Sequence, residues 1–174
     1  GVGRAQLPHR LAVIGASVEG LGAGLEAYLG GSPSPTVLRS PPGGAQAPKV
    51  AFLFTGLGSQ YVGMGRQLYE TQPTFRAALE QCQEVLRPLL EQPLLSVLYP
   101  EPGVTSRLED RAYGLPVVFA FEYAVAQLWR SWGIEPTCVL GHSLGEYVAA
   151  CVAGVLSLED GLRLSAERAR LVAT

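Results

Sequence analysis

The stretch Cys138-Val139-Leu140-Gly141-His142-Ser143-Leu144-Gly145-Glu146-Tyr147 joins a short apolar run to an Ala-rich helical pattern. Its Gly-x-Ser-x-Gly spacing is that of a nucleophile elbow, a serine on a sharp turn between a buried strand and a helix. Gly141 is expected to let the chain turn, and Gly145 to let the new helix lie close against neighbouring backbone. Ser143 then stands by the free N–H groups and positive dipole end of that helix, where a developing oxyanion is favoured. The competing reading is a Gly-rich turn with a capping serine. The flanking sequence has to separate the two.

Composition narrows the classes. The chain has 174 residues, 48% hydrophobic and 16% charged, enough apolar material for one packed domain or part of one, and too much for disorder. A net charge of -2 gives no basic footprint, so nucleic acid is not an expected partner. The three cysteines, Cys82, Cys138 and Cys151, lie in apolar contexts without metal spacing, and an odd count argues against a disulfide framework. No metal is expected. There is no signal-peptide pattern and no run of membrane-spanning length, so the expected setting is cytoplasmic, without a membrane partner.

Upstream of the elbow, Arg10–Ser17 reads as a strand, and Ser17 as the cap of a helix over Val18–Leu29 that Gly20, Gly22 and Gly24 weaken. Residues 30–48 form a Pro/Gly/Ser-rich connector with an extended patch at Thr36–Arg39, which sets a boundary between a small αβ appendage (1–48) and the main unit (49–174). Lys49–Phe54 reads as a parallel strand buried on both faces, leading into the loop Thr55-Gly56-Leu57-Gly58-Ser59-Gln60. The loop has neither dinucleotide nor Walker spacing; it is either a tight turn or a device that brings backbone N–H groups near a reacting atom. Helices are expected from Pro73 to about Leu90, over Pro93–Pro100 as a short turn, from Leu115-Pro116 to Trp132 as a core helix, over Leu144–Val155, and over Leu158–Val172. Two apolar strands separated by helices imply an α/β fold, a parallel sheet with flanking helices.

Helix arithmetic adds a partner to the serine. From Ser143 to Gly154 the chain climbs about 16 Å at the α-helical rise, and an antiparallel return from Leu158 comes back about 15 Å by Arg168. Arg168 is thereby brought level with Ser143, where a guanidinium holds a carboxylate bidentately. The alternative is a solvated basic face with Arg163 and Arg170. A base is harder to find: His9 lies in the appendage, and the side chain of His142, adjacent to Ser143, is expected to point away from it.

Four separated segments, KVAFLFTGLGSQYVGMG (49–65), FAFEYAVAQLW (119–129), GHSLGEYVAACVAGVLSLEDG (141–161) and AERARLVA (166–173), together resemble the acyltransferase domain of modular type I polyketide synthases. That domain is related to the malonyl-CoA:acyl carrier protein transacylases. Residues 3–29 resemble the end of the linker that joins a ketosynthase to such a domain. The resemblance implies that Ser143 takes an acyl group from a coenzyme A thioester and passes it to the phosphopantetheine thiol of an acyl carrier protein. It assigns the backbone N–H groups of Leu57 and Leu144 to the oxyanion hole and Arg168 to the free carboxylate of a malonyl-type substrate. Gln60, His142 and Leu115 fall among the residues around the substrate. It further implies no tightly bound cofactor, an adjacent ketosynthase on the same polypeptide, and a dimeric synthase. The catalytic histidine and a ferredoxin-like subdomain are expected beyond residue 174. Leu57 and Leu115 stand where the family commonly has Gln, which makes the expected pocket more apolar. A serine esterase or thioesterase of the α/β-hydrolase type shares the elbow and is the alternative enzyme; a purely docking fragment is the non-enzymatic one.

Overall fold

A computed structural model describes residues 7, 9–40 and 48–172; part of the expected connector, residues 41–47, lies outside them. The chain divides into two compact units, residues 1–48 and 49–174.

In the first unit β1 (Leu11–Val13) pairs antiparallel with β2 (Val37–Arg39), and α1 (Val18–Leu29) lies between them in sequence. The Ser17 hydroxyl accepts the Gly20 N–H at 3.2 Å, the expected cap. Gly24 is buried because a Cβ there would overlap Val13: the glycine that weakens the isolated helix lets it lie close to the strand. The expected eight-residue strand shrinks to three residues, because its partner β2 offers only three.

The second unit runs β3 (Ala51–Phe54), α2 (Arg66–Thr71), α3 (Pro73–Leu86), α4 (Leu94–Leu98), α5 (Arg111–Ser131), β4 (Cys138–Gly141), α6 (Gly145–Val152) and α7 (Leu158–Val172). β3 and β4 pair in parallel, with Phe52 opposite Val139 and Phe54 opposite Gly141. This is an α/β arrangement, with the crossover from β3 to β4 carried by four helices. The hydrophobic core lies mainly among α3, α5 and α7, where Phe75, Leu79, Phe119 and Leu162 are fully buried.

Several expectations are corrected. The strands are not buried on both faces: Phe54 is 7% exposed, but Leu53 is 70% and Leu140 66% exposed. Among the described residues of this unit only β3 and β4 pair, and α6 packs against both, so the alternate residues of each strand remain uncovered. The long helix starts at Arg111 rather than Leu115, with Pro116 inside it. Asp110 makes this start possible by accepting the Ala112 N–H at 3.1 Å while paired to Arg107 at 2.7 Å; Pro116 then sits inside the helix, where it removes one backbone bond and its ring crowds the carbonyl one turn earlier. That helix is also not core throughout: Trp129 and Trp132 are exposed and meet edge-on at 5.2 Å. Finally, α2 is an unexpected separate helix, and α3 ends at Leu86. Gln72 is extended, as a residue before proline prefers, and this parts α2 from α3.

Candidate active site

The elbow closes at the end of β4. Among the described residues Ser143 is the one non-glycine with positive φ, at 55°, so the turn is made by the serine's own left-handed backbone. Gly141 and Gly145 serve proximity. A Cβ on Gly141 would overlap the backbone of Gly145 and Glu146, and a Cβ on Gly145 would overlap Phe54 and Thr55. The first turn of α6 therefore sits directly on the C-terminal ends of both strands, and the Gly145 N–H donates to the His142 carbonyl at 2.9 Å.

The α6–α7 hairpin is built from two local signals. Gly154, at φ +77°, ends α6 with the Val155 N–H bonded to Ala150 at 2.9 Å and the Gly154 N–H bonded to Cys151 at 3.0 Å, the paired bonds of a Schellman motif. Ser157 then caps α7, its hydroxyl accepting the Asp160 N–H at 3.0 Å and donating to the Asp160 carboxylate at 2.8 Å. The returning helix brings Arg168 alongside the elbow, where its Nη2 donates to Ser143 Oγ at 3.1 Å. Its guanidinium carbon lies 5.5 Å from the Tyr147 ring centroid, within cation–π range. The solvated-face alternative fits Arg170, which pairs with Glu167 at 3.0 Å. Among the described residues no carboxylate lies within ion-pair distance of Arg168.

Across the cleft, the loop after β3 meets the serine. The Cβ position of Gly56 is 3.3 Å from Ser143 Cβ and 3.2 Å from His142 Nδ1, so a side chain there would require the elbow to give by a few tenths of an ångström. Leu57 follows and is 40% exposed; its side chain lies over Gly114, whose Cβ position is 2.9 Å from Leu57 Cδ1. Gly58 takes φ +115°, a conformation open to glycine. Gln60 turns its side chain inward, Oε1 accepting the Gly58 N–H at 2.7 Å. Leu115 is 4% exposed; the α5 residue that meets the loop is its neighbour Gly114. Leu144 is fully buried at the start of α6, and the His142 N–H donates to the Phe54 carbonyl at 3.0 Å.

One participant escaped the sequence reading. Glu122 Oε1 accepts both the Thr55 N–H and the Thr55 hydroxyl, each at 2.6 Å, while Oε2 is buried with no partner. Burial pushes its carboxyl above the usual range, and the Thr55 bonds pull it back only in part. A signal was present: Glu122 is the lone acid in the 21 residues of α5.

Within the second unit, Ser143 Oγ is engaged by Arg168 rather than by the His142 ring; His9 belongs to the first unit. Among the described residues no cluster of His, Cys, Asp or Glu could hold a metal ion, and no helix is long and apolar enough to cross a membrane. An apolar hollow of about 620 Å³ beside β3, lined by residues including Phe52, Phe121, Val125, Trp129 and Ile134, lies apart from Ser143 and Arg168.

Comparison with known proteins agrees with this geometry. Residues 51–174 match the acyl transferase domain family model. The polyketide synthase GfsE of Streptomyces halstedii is 44% identical over 97% of this chain, which spans 4% of that protein. The orsellinic acid synthase armB of Armillaria mellea is 42% identical over 94% of the chain, which spans 7% of it. The acyl transferase domain of ZmaA superposes with TM-score 0.86 at 39% identity, covering 99% of this chain and 39% of that one. The chain thus spans under a tenth of the curated relatives it matches. With the family model covering most of its length and the elbow, loop and hairpin meeting at one serine, this chain belongs to the acyl transferase domain family.

Proposed function

We propose that the chain forms part of a polyketide synthase acyltransferase domain that moves a malonyl-type unit from coenzyme A to an acyl carrier protein. The observation that carries this reading is the 3.1 Å approach of Arg168 Nη2 to Ser143 Oγ, which sets a carboxylate receptor beside a nucleophile. In the first half-reaction Ser143 Oγ attacks the thioester carbonyl carbon as its proton passes to a base. The tetrahedral oxyanion is held by the N–H groups of Leu57 and Leu144, the C–S bond breaks, and the coenzyme A thiol leaves carrying the proton. In the second half-reaction the phosphopantetheine thiol attacks the acyl-serine, the carrier is acylated, and Ser143 regains its proton. Ser143 Oγ takes its hydrogen bond from Arg168 and not from the adjacent His142, and we assign the role of base to a histidine outside these 174 residues.

Arg168 acts before chemistry begins. Its fork is free of carboxylate partners among the described residues, so the distal carboxylate of a malonyl group takes the bidentate position and the thioester carbonyl is left facing Oγ. Leu57 and Gly114 shape the neighbouring wall, with Leu115 behind it; Gln60 keeps the loop closed through its bond to Gly58. His142 shapes the turn. Residues 1–48 are assigned to the end of a ketosynthase-to-acyltransferase linker, within a dimeric cytoplasmic synthase. The test is labelling of the complete domain with radiolabelled malonyl-CoA: a stable adduct at Ser143, discharged by carrier protein, supports the reading, and labelling elsewhere or none refutes it.

A further inference from the structure

Building on that reading, we infer that Glu122 is a positioning residue for the oxyanion loop, fixing Thr55 so that the Leu57 N–H keeps its aim at the substrate carbonyl above Ser143. Glu122 stands on α5, a helix anchored in the core, while Thr55 is the first residue beyond β3. Two 2.6 Å bonds converge on one carboxylate oxygen and hold both the Thr55 amide and its hydroxyl. Bonds to an ionised acceptor are among the stronger ones a loop can have.

The restraint spreads along the loop. The Thr55 hydroxyl proton goes to Glu122, so the 3.0 Å contact between Thr55 Oγ1 and Ser59 Oγ is donated by Ser59. The Gly56 carbonyl, 3.4 Å from Ser59 Oγ, is a longer alternative acceptor for the same Ser59 proton, and the Ser59–Thr55 bond ties both flanks of Gly56–Gly58 to one carboxylate. At the far side Gly56 lies close enough to the elbow that a Cβ added to it would come within 3.3 Å of Ser143 Cβ and 3.2 Å of His142 Nδ1. Leu57 therefore sits between two fixed points, the elbow and the Glu122–Thr55 clamp, and its N–H direction is determined by both.

A purely structural strap between β3 and α5 would be served as well by apolar packing, without leaving Glu122 Oε2 buried and unpaired. A buried half-paired carboxylate is a costly strap. The cost is understandable where one loop must be held to within a fraction of an ångström.

The experiment uses the complete synthase that carries this chain and compares Glu122→Gln, Glu122→Leu, Thr55→Val and Thr55→Ser. Each is read by single-turnover acylation of Ser143 from malonyl-CoA and by amide hydrogen exchange over residues 55–60. Glu122→Gln keeps an oxygen for both Thr55 donors and Thr55→Ser keeps the hydroxyl; both should acylate within about threefold of the parent. Glu122→Leu should lose about 10- to 100-fold in the acylation rate with KM for malonyl-CoA unchanged, the signature of an interaction made in the transition state. Thr55→Val should lose in the same sense, and both should raise exchange at residues 56–59 while α5 stays protected. Parent-like acylation in Glu122→Leu, or a rise in KM matching the loss of rate, overturns the inference. If the parent itself forms no acyl-Ser143, the transfer reading has failed. The exchange measurement then decides alone: unchanged protection of the loop in Glu122→Leu and Thr55→Val sinks the clamp, and selective loss supports it.

Discussion

Arg168 Nη2 donates to Ser143 Oγ at 3.1 Å although the two residues lie 25 positions apart, one on the turn before α6 and the other on α7. The contact depends on the length of α6, the Gly154 turn and the Ser157 cap, which together determine which residue of α7 returns to the level of the elbow. Shortening or lengthening α6 by one residue would rotate the partner face by roughly 100°. A cation at this place has a clear consequence for substrate choice.

Replacing Arg168 with Ala in the complete domain should lower kcat/KM for malonyl-CoA by about 10- to 100-fold, the worth of one or two charge-assisted bonds. Transfer of acetyl or other uncharged acyl groups should be spared or improved. Arg168→Lys should recover only part of the loss, because an ammonium lacks the planar fork. Parallel loss for charged and neutral donors would remove the carboxylate role.

Ser143 is held at φ 55°, a region that suits glycine. Ser143→Gly and Ser143→Ala should both abolish acyl-enzyme formation, yet differ in stability. Glycine relieves backbone strain of order 1 kcal/mol that alanine retains, offset in part by its larger unfolded-state entropy. Thermal unfolding should therefore rank Ser143→Gly at or above Ser143→Ala; the reverse order would show that the strain in the turn is smaller than that entropy.

Gly145 has no room for a methyl group, and what it would meet is the backbone of Phe54 and Thr55 rather than a yielding side chain. Gly145→Ala should destabilise by at least about 2 kcal/mol and displace the elbow from β3. Gly22, with open space around it, is the control: Gly22→Ala on α1 should leave stability the same or slightly higher. Chemical denaturation of the two variants separates the cases.

The cysteines should react in a fixed order. Cys138 is exposed. Cys82 is fully buried with its thiol pushed up to about 12, mainly by burial, and burial likewise pushes the Cys151 thiol up to about 11. Iodoacetamide at neutral pH should alkylate Cys138 first, the half-buried Cys151 more slowly, and Cys82 only on unfolding. Mass spectrometry of a time course reads this directly; early modification of Cys82 would contradict the packing of α3.

Glu122 links the site to pH. Its folded pKa is raised above the ordinary 4.5, chiefly by burial, so the native state holds this proton more tightly than the unfolded chain. Its contribution to stability is full below about 4.5, the unfolded value, and is lost as pH rises through the folded one. Glu122→Gln removes that dependence, so its stability relative to the parent should rise from pH 4 towards pH 7. A flat difference across that range would mean that the carboxyl is not desolvated.

Much of this was readable from local chemistry. The strand–turn–helix signal around Ser143, the Ser17 cap and the bounds of α1 and α7 all follow from patterns a few residues long. So does the hairpin: Gly154 and Ser157-x-x-Asp160 announce a stop and a start, and a helix's constant rise makes the Ser143–Arg168 pairing a matter of counting. The exposed faces of β3 and β4 were not readable, because an apolar run reports what a strand can bury, not how many neighbours come to cover it. The early start of α5 was obscured by Pro116, whose usual meaning as a helix opener was overridden by the Asp110 cap.

What the sequence alone determined is therefore the elbow, its arginine and the family to which the chain belongs, each written in short-range spacing. Only the tertiary structure decided that Gly56 lies close beside Ser143 from 87 residues away in the chain, and that Glu122 bonds Thr55 across a separation of 67. The physical reason is that such contacts depend on how a helix packs beside a strand, and no repeat or cap in either segment carries that distance.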